Sequence, residues 1–145
     1  MADKTAPPAQ PSEAEIRELV MRGEQLRQQL GALEAQQEYV GELALEARRA
    51  LTSVEALEKA NEGDEVLLPL GAGAFIHAKL ASPRVALTSL GSGVHAELPT
   101  GDAVTRLRAR VESLDGAQQA VARDLARVSD EIARINALAE SIYGG

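Results

Sequence analysis

VLLPLGAGAFIHAKL, residues Val66–Leu80, is two apolar runs separated by Gly71-Ala72-Gly73. Glycines supply the positive φ angles of tight turns, so the stretch predicts a β-hairpin. A hairpin alone is marginal in water, and its surroundings therefore decide the fold. The pattern returns at Val85–Leu98, VALTSLGSGVHAEL, with Gly91-Ser92-Gly93 at its centre and Ala81-Ser82-Pro83 as the link. Four strands are expected: Glu65–Leu70, Ala74–Leu80, Arg84–Leu90 and Val94–Leu98.

On both sides of this segment the periodicity is helical. Pro11 and Ser12 precede Glu15 in the spacing of a capping box. Apolar residues then recur in steps of three and four: Ile16, Leu19, Leu26, Leu30, Leu33, Val40, Ala44, Ala47, Leu51 and Val54, broken only by Gly23 and Gln37. This is a heptad pattern. The helix is expected to run over 12–63, ending near Asn61-Glu62-Gly63 with Gly63 as a left-handed cap. A second arm over 100–143 follows Pro99-Thr100: Val104, Leu107, Val111, Leu114, Val121, Leu125, Val128, Ile132, Ile135, Ala139 and Ile142, broken only by Gln118. Each arm would extend roughly 60 Å at 1.5 Å per residue.

The arms match when the chain folds back on itself. With Val54 opposite Val104, Leu51 meets Leu107, Ala47 meets Val111, Ala44 meets Leu114, Gly23 meets Ile135, Leu19 meets Ala139 and Ile16 meets Ile142. Position a faces position d, as an antiparallel pair requires. Gln37 and Gln118 fall in neighbouring layers. Either the two amides approach, bond and fix the register, or each turns to solvent.

The strands raise a solubility problem. Val66, Leu68 and Leu70 share one side of the first strand, with Leu67 opposite; Ile76, Ala78 and Leu80 line one side of the second, with Phe75 opposite. Val85 and Leu87 share a face of the third, against Ala86 and Leu90. Exposed strands of this kind pair with anything, and two helices are too thin to cover them. Strands from other subunits closing a barrel would solve this, so an obligate oligomer is expected. The fold class is α+β: a long antiparallel two-helix coiled coil with two β-hairpins at one end that form an oligomeric β-barrel with other subunits. Residues 64–99 are its oligomerisation body.

Composition narrows the function. Of 145 residues only one is Phe and two are Tyr, with no Trp, which suits helix pairs better than a rounded core. A net charge of −7 argues against sequence-independent nucleic-acid binding, an RNA-binding helical arm included, and against an anionic membrane surface. The absence of cysteine removes disulfides, thiolate catalysis and Cys-based zinc sites. No run reaches the roughly 18 apolar residues of a membrane span. MADKTAPPAQP lacks a signal-peptide core, so residues 1–11 are expected to be a disordered tail and the location cytoplasmic. Gly71-Ala72-Gly73 begins like a dinucleotide loop, but Ile76 replaces the third glycine and a strand follows, so no nucleotide is expected. His77 and His95, one per hairpin, either meet across a sheet around a metal or sit on a barrel surface; the second reading is preferred. Ser, His and Asp occur without a nucleophile elbow, and no acid, base or nucleophile constellation indicates an enzyme. No catalytic residue, metal or cofactor is expected.

A long helix, two hairpins and a second long helix in one chain resembles the alpha class of the prefoldin family, whose beta class has one hairpin. VLLPLGAGAFIHAKL is similar to the family's first hairpin and VALTSLGSGVHAEL to its second. The likeness covers residues 12–143. It implies a hexamer of two alpha and four beta subunits, with coiled coils hanging from a double β-barrel. It implies an ATP-independent holdase whose tips grip unfolded client proteins and pass them to a group II chaperonin. It also allows a homo-oligomer of an unpartnered chain. Under this reading Val66, Leu68, Leu70, Phe75, Ile76, Val85, Leu87 and Val94 form the oligomer interface. Ile16, Leu19, Val20, Met21, Ile135, Leu138, Ile142 and Tyr143 form the client-binding tip, where apolar residues stand beyond the seam. The alternative is a prefoldin-like interaction scaffold that holds one fixed partner.

Overall fold

The computed structural model describes residues 10–144; the expected tail over residues 1–11 lies outside them except for Gln10 and Pro11. The element order is α1 (Glu13–Glu58), β1 (Glu65–Gly71), β2 (Ala74–Lys79), β3 (Val85–Gly91), β4 (Val94–Pro99) and α2 (Thr100–Tyr143). This is the expected α+β class. The chain divides into two compact units, one comprising the chain up to Tyr39 and from Gln118 onward, the other Val40–Ala117.

The start of α1 is the capping box. The Ser12 N–H donates to Glu15 Oε2 at 3.0 Å and the Glu15 N–H donates to Ser12 Oγ at 3.2 Å, so two otherwise unpaired backbone and side-chain groups satisfy each other. In the terminal unit the two helices pack on Leu26, Val121 and Val128, all buried. A Cβ added at Gly23 would stand 3.7 Å from Ile135 Cγ2, the layer that the heptads predict. In the other unit Val40, Ala44, Ala47 and Leu114 form a core cluster with Val111 packed against it. Arg48 pairs with Asp115, and Arg108 with Glu55 at 3.2 Å. These two pairs lie one heptad apart on both helices, so this unit keeps the antiparallel register. Every apolar seam position of both arms is at least half-buried. Gln37 is exposed and no hydrogen bond joins it to Gln118 among the described residues. The expected amide pair is therefore not formed, because water satisfies an exposed amide at no cost in burial.

The end of α1 departs from expectation. The helix stops at Glu58, and Lys59 and Ala60 donate to the carbonyls of Ala56 and Leu57, a tightened i→i−3 last turn. Gly63 does have a positive φ of 86°, but its N–H donates to the Leu80 carbonyl at 2.8 Å. It closes the first hairpin and does not cap the helix. The cap comes from elsewhere: Arg84 Nη1 donates to the Glu58 carbonyl at 2.6 Å. The last turn of α1 holds no basic residue of its own, so this guanidinium supplies the cation that a helix C-terminus favours. Thr100, which opens α2, is 3% exposed. Its Oγ1 donates to the Pro83 carbonyl at 2.6 Å and its N–H to the Arg84 carbonyl at 2.9 Å. The link between the hairpins is thus tied to the end of one helix and the start of the other.

The hairpins are separate two-stranded antiparallel sheets, β1 with β2 and β3 with β4. They are built alike at one constant offset. Glu65 pairs with Lys79 as Val85 does with Pro99, and Gly71 pairs with Ala74 as Gly91 does with Val94. In both, a register shift leaves a leucine in a bulge, Leu70 or Leu90. The turns match as well: φ is 106°, 50° and 79° at Gly71, Ala72 and Gly73, and 101°, 50° and 77° at Gly91, Ser92 and Gly93. Two central residues with positive φ give the turn that follows the right-handed twist of the strands.

Candidate functional site

The first hairpin has two apolar faces. Leu68 stands opposite Ile76 and Val66 opposite Ala78 on one; Leu67 stands opposite His77 and Pro69 opposite Phe75 on the other. Leu68 and Ile76 are 49% and 50% exposed, and Leu67 and Phe75 are 58% and 60% exposed, so neither face is covered. Val66 is half-buried and Leu70 exposed. In the second hairpin Ala86, Thr88, Ala96 and Leu98 form a half-buried face, while Val85, Leu87 and Val94 are exposed. Seven of the eight expected interface residues are therefore exposed, Val66 being the exception. His77 faces Leu67 in one sheet; His95 faces Ser89 in the other, its Nδ1 3.3 Å from the Gly93 carbonyl. The two histidines share no sheet, so the metal reading has no geometry to support it. Among the described residues no cluster of three or more His, Cys, Asp or Glu is placed to hold a metal ion, and no helix is long and apolar enough to cross a membrane.

The second candidate surface lies in the terminal unit, where α1 begins and α2 ends. Two grooves flank the seam there, of about 1110 Å³ and about 160 Å³. Ile16, Leu19 and Ile142, each half-buried, contribute to the floor of both. Met21 and Leu138 line the larger groove; Val20, Ile135 and Tyr143 line the smaller. All eight expected tip residues thus lie in the two grooves. Val20, Met21, Leu138 and Tyr143 are exposed, and Ile135 is half-buried.

Polar residues that the heptad reading passed over complete these grooves. Glu15, Glu18, Arg22, Gln25 and Ser141 border the larger, with Pro11 half-buried beside it; Glu24, Arg27 and Asn136 border the smaller. Their signal in the sequence is position: each flanks a seam residue near a helix end. Arg22 Nη2 lies 3.1 Å from Glu131 Oε2, and Arg27 Nη2 donates to Asn136 Oδ1 at 3.3 Å. These contacts bridge the helices beside the grooves.

A chain of two long helices that enclose twin hairpins, with apolar hairpin faces left bare, defines a coiled-coil subunit of the α+β class. The model of the prefoldin subunit family matches residues 26–145, and the chain belongs to the prefoldin family, as a prefoldin-type chaperone subunit. Among curated relatives, prefoldin subunit alpha of Methanothrix thermoacetophila is 34% identical over 70% of this chain and 66% of its own length. Prefoldin subunit alpha of Methanococcoides burtonii is 30% identical over 84% of this chain and 83% of its own. Two solved structures share the fold. A filamentous prefoldin from Methanocaldococcus jannaschii has a TM-score of 0.51 and 23% identity, covering 84% of this chain and 95% of that one. The prefoldin beta subunit from Thermococcus strain KS-1 has a TM-score of 0.60 and 17% identity, covering 92% and 96%.

Proposed function

We propose that the chain is the alpha-class subunit of an ATP-independent holdase. Its hairpins, residues 64–99, join those of other subunits in a shared β-barrel body, in a hexamer of two alpha and four beta-class subunits. The helix ends carry the grooves that grip non-native proteins, and the complex passes its clients to a group II chaperonin. One observation carries the assembly half: apolar residues on both faces of the first hairpin are about half exposed or more. An unassembled chain would present them to water at roughly 25 cal/mol per Å² of apolar surface left uncovered, and as open strand edges besides. The gripping half rests on the grooves, whose floors are apolar and whose exposed methionine re-packs around unlike partners. Each groove binds weakly, and several arms engaging one client gain roughly 10²–10⁴-fold by avidity.

Two measurements test this. Sizing of the purified chain, alone and with a beta-class subunit, is expected to show no folded single copy and a defined hetero-oligomer with the partner. The assembled complex, without ATP, is expected to suppress light scattering by several unrelated proteins diluted from denaturant. Removal of residues 136–145 is expected to weaken that protection while leaving assembly intact. Protection of a single partner only would instead support the fixed-partner scaffold.

A further inference from the structure

The charges around the larger groove are not balanced. Arg22, its one cation, is held sideways by Glu131, while Glu18 beside it forms no ion pair among the described residues. In the smaller groove Arg27 keeps its charge on the neutral amide of Asn136 and offsets Glu24. The helix ends add to the asymmetry. The positive end of α1 is already met by Glu13, Glu15 and the Ser12 box. The last turn of α2 holds no basic residue, and its Ser141 and Ile142, with Leu138 one turn earlier, line the larger groove. A helix C-terminus carries about half a negative charge, so this groove pairs an apolar floor with an uncompensated negative end. Its volume of about 1110 Å³ exceeds the roughly 300–1,000 Å³ of small-molecule clefts and suits a length of polypeptide.

We propose that the larger groove selects apolar client segments flanked by Lys or Arg over equally apolar segments flanked by acids. This rests on the gripping function proposed above and deepens it by naming the client chemistry. The apolar centre of the segment lies on Ile16, Leu19 and Ile142, and its flanking cations reach Glu18 and the negative end of α2. Such a preference suits a holdase, because a cation beside an apolar run is retained when the run is buried in the groove, whereas an acid would meet like charge.

The test uses the full-length assembled protein and three fluorescent peptides that share one apolar centre, flanked by lysines, serines or glutamates. Anisotropy at low salt is expected to rank them lysine, serine, glutamate, with the first about fivefold tighter than the second, the scale of a few exposed charge contacts. The gap is expected to close near molar salt, where the Debye length is about 3 Å. The variant Glu18→Gln keeps helix propensity. It is expected to lose most of the lysine-over-serine preference. Equal affinity for lysine and glutamate peptides would overturn the selection and leave gripping standing. A lysine preference that the Glu18→Gln variant retains in full would overturn its assignment to this carboxylate. Failure of all three peptides to bind would overturn gripping itself.

Discussion

Leu26 and Leu87 are the same side chain in opposite circumstances: Leu26, on the α1 seam, is 1% exposed, and Leu87, on β3, is 71% exposed. The seam supplies its own cover, because each helix presents a stripe that the other fills. The hairpins hold apolar residues just as rich, yet a two-stranded sheet has no layer to lay against them. Apolar content alone does not locate a core; a facing element at the right period does. The contrast also separates two kinds of stability in one chain, one internal to the helix pair and one expected from neighbours.

Mutations sharpen that contrast, and the largest effect belongs to the seam. Leu26→Ala is expected to cost about 2–5 kcal/mol by leaving a cavity, read as a lower midpoint in denaturant melts of the assembled protein. Next comes Thr100→Val, which strands the Pro83 carbonyl in a buried site. A loss of about 1–3 kcal/mol is expected, again by denaturant melt. Ser12→Ala removes one side of the capping box and is expected to cost about 1 kcal/mol, with fraying at the start of α1 visible by hydrogen exchange. A substitution in the opposite sense tests the turns. Ala72 adopts a φ of 50°, where a side chain is strained, so Ala72→Gly is expected to stabilise the chain by up to about 1 kcal/mol, seen as a raised melting midpoint. The smallest change in chain stability is expected for Leu87→Ala, within about 0.5 kcal/mol for an exposed site. If the hairpins are the assembly body, the same variant shifts the sizing profile toward smaller species. A seam-sized loss of stability without any change in assembly would erase the contrast.

The residues that made the fold legible are those whose neighbours are set by period. Gly23 meeting Ile135, and the bracketing of Ala47 and Leu114 in one cluster, follow from counting heptads. The Gly-x-Gly turns and the Ser12 box are local, and a few adjacent residues specify them. What stayed hidden depends on how connections cross in space. Arg84 capping α1 and Thr100 holding Pro83 join positions that no periodicity relates. Gly63 was legible as a residue of positive φ, but the partner of its N–H, Leu80, follows from the closure of the hairpin. At the candidate surfaces the apolar floor was legible and the polar border was not. A heptad count marks Ile16 and Leu19, and it is silent on where Arg22 and Arg27 send their guanidinium groups.

The likeness of the two hairpins extends past their strands. Leu80 donates its N–H to the Asp64 carbonyl just as Thr100 donates to Arg84, so each sheet is latched at its base by the same bond at the same offset. The insert between the helices is in this sense a single cassette used twice, and its length is quantised. Excising residues 65–84 would bring Asp64 against Val85 and leave one whole cassette with its turn and its bulge, at the cost of the Arg84 cap on α1 and the Pro83 carbonyl that holds Thr100. Cutting anywhere inside a cassette would leave half a sheet with nothing to pair.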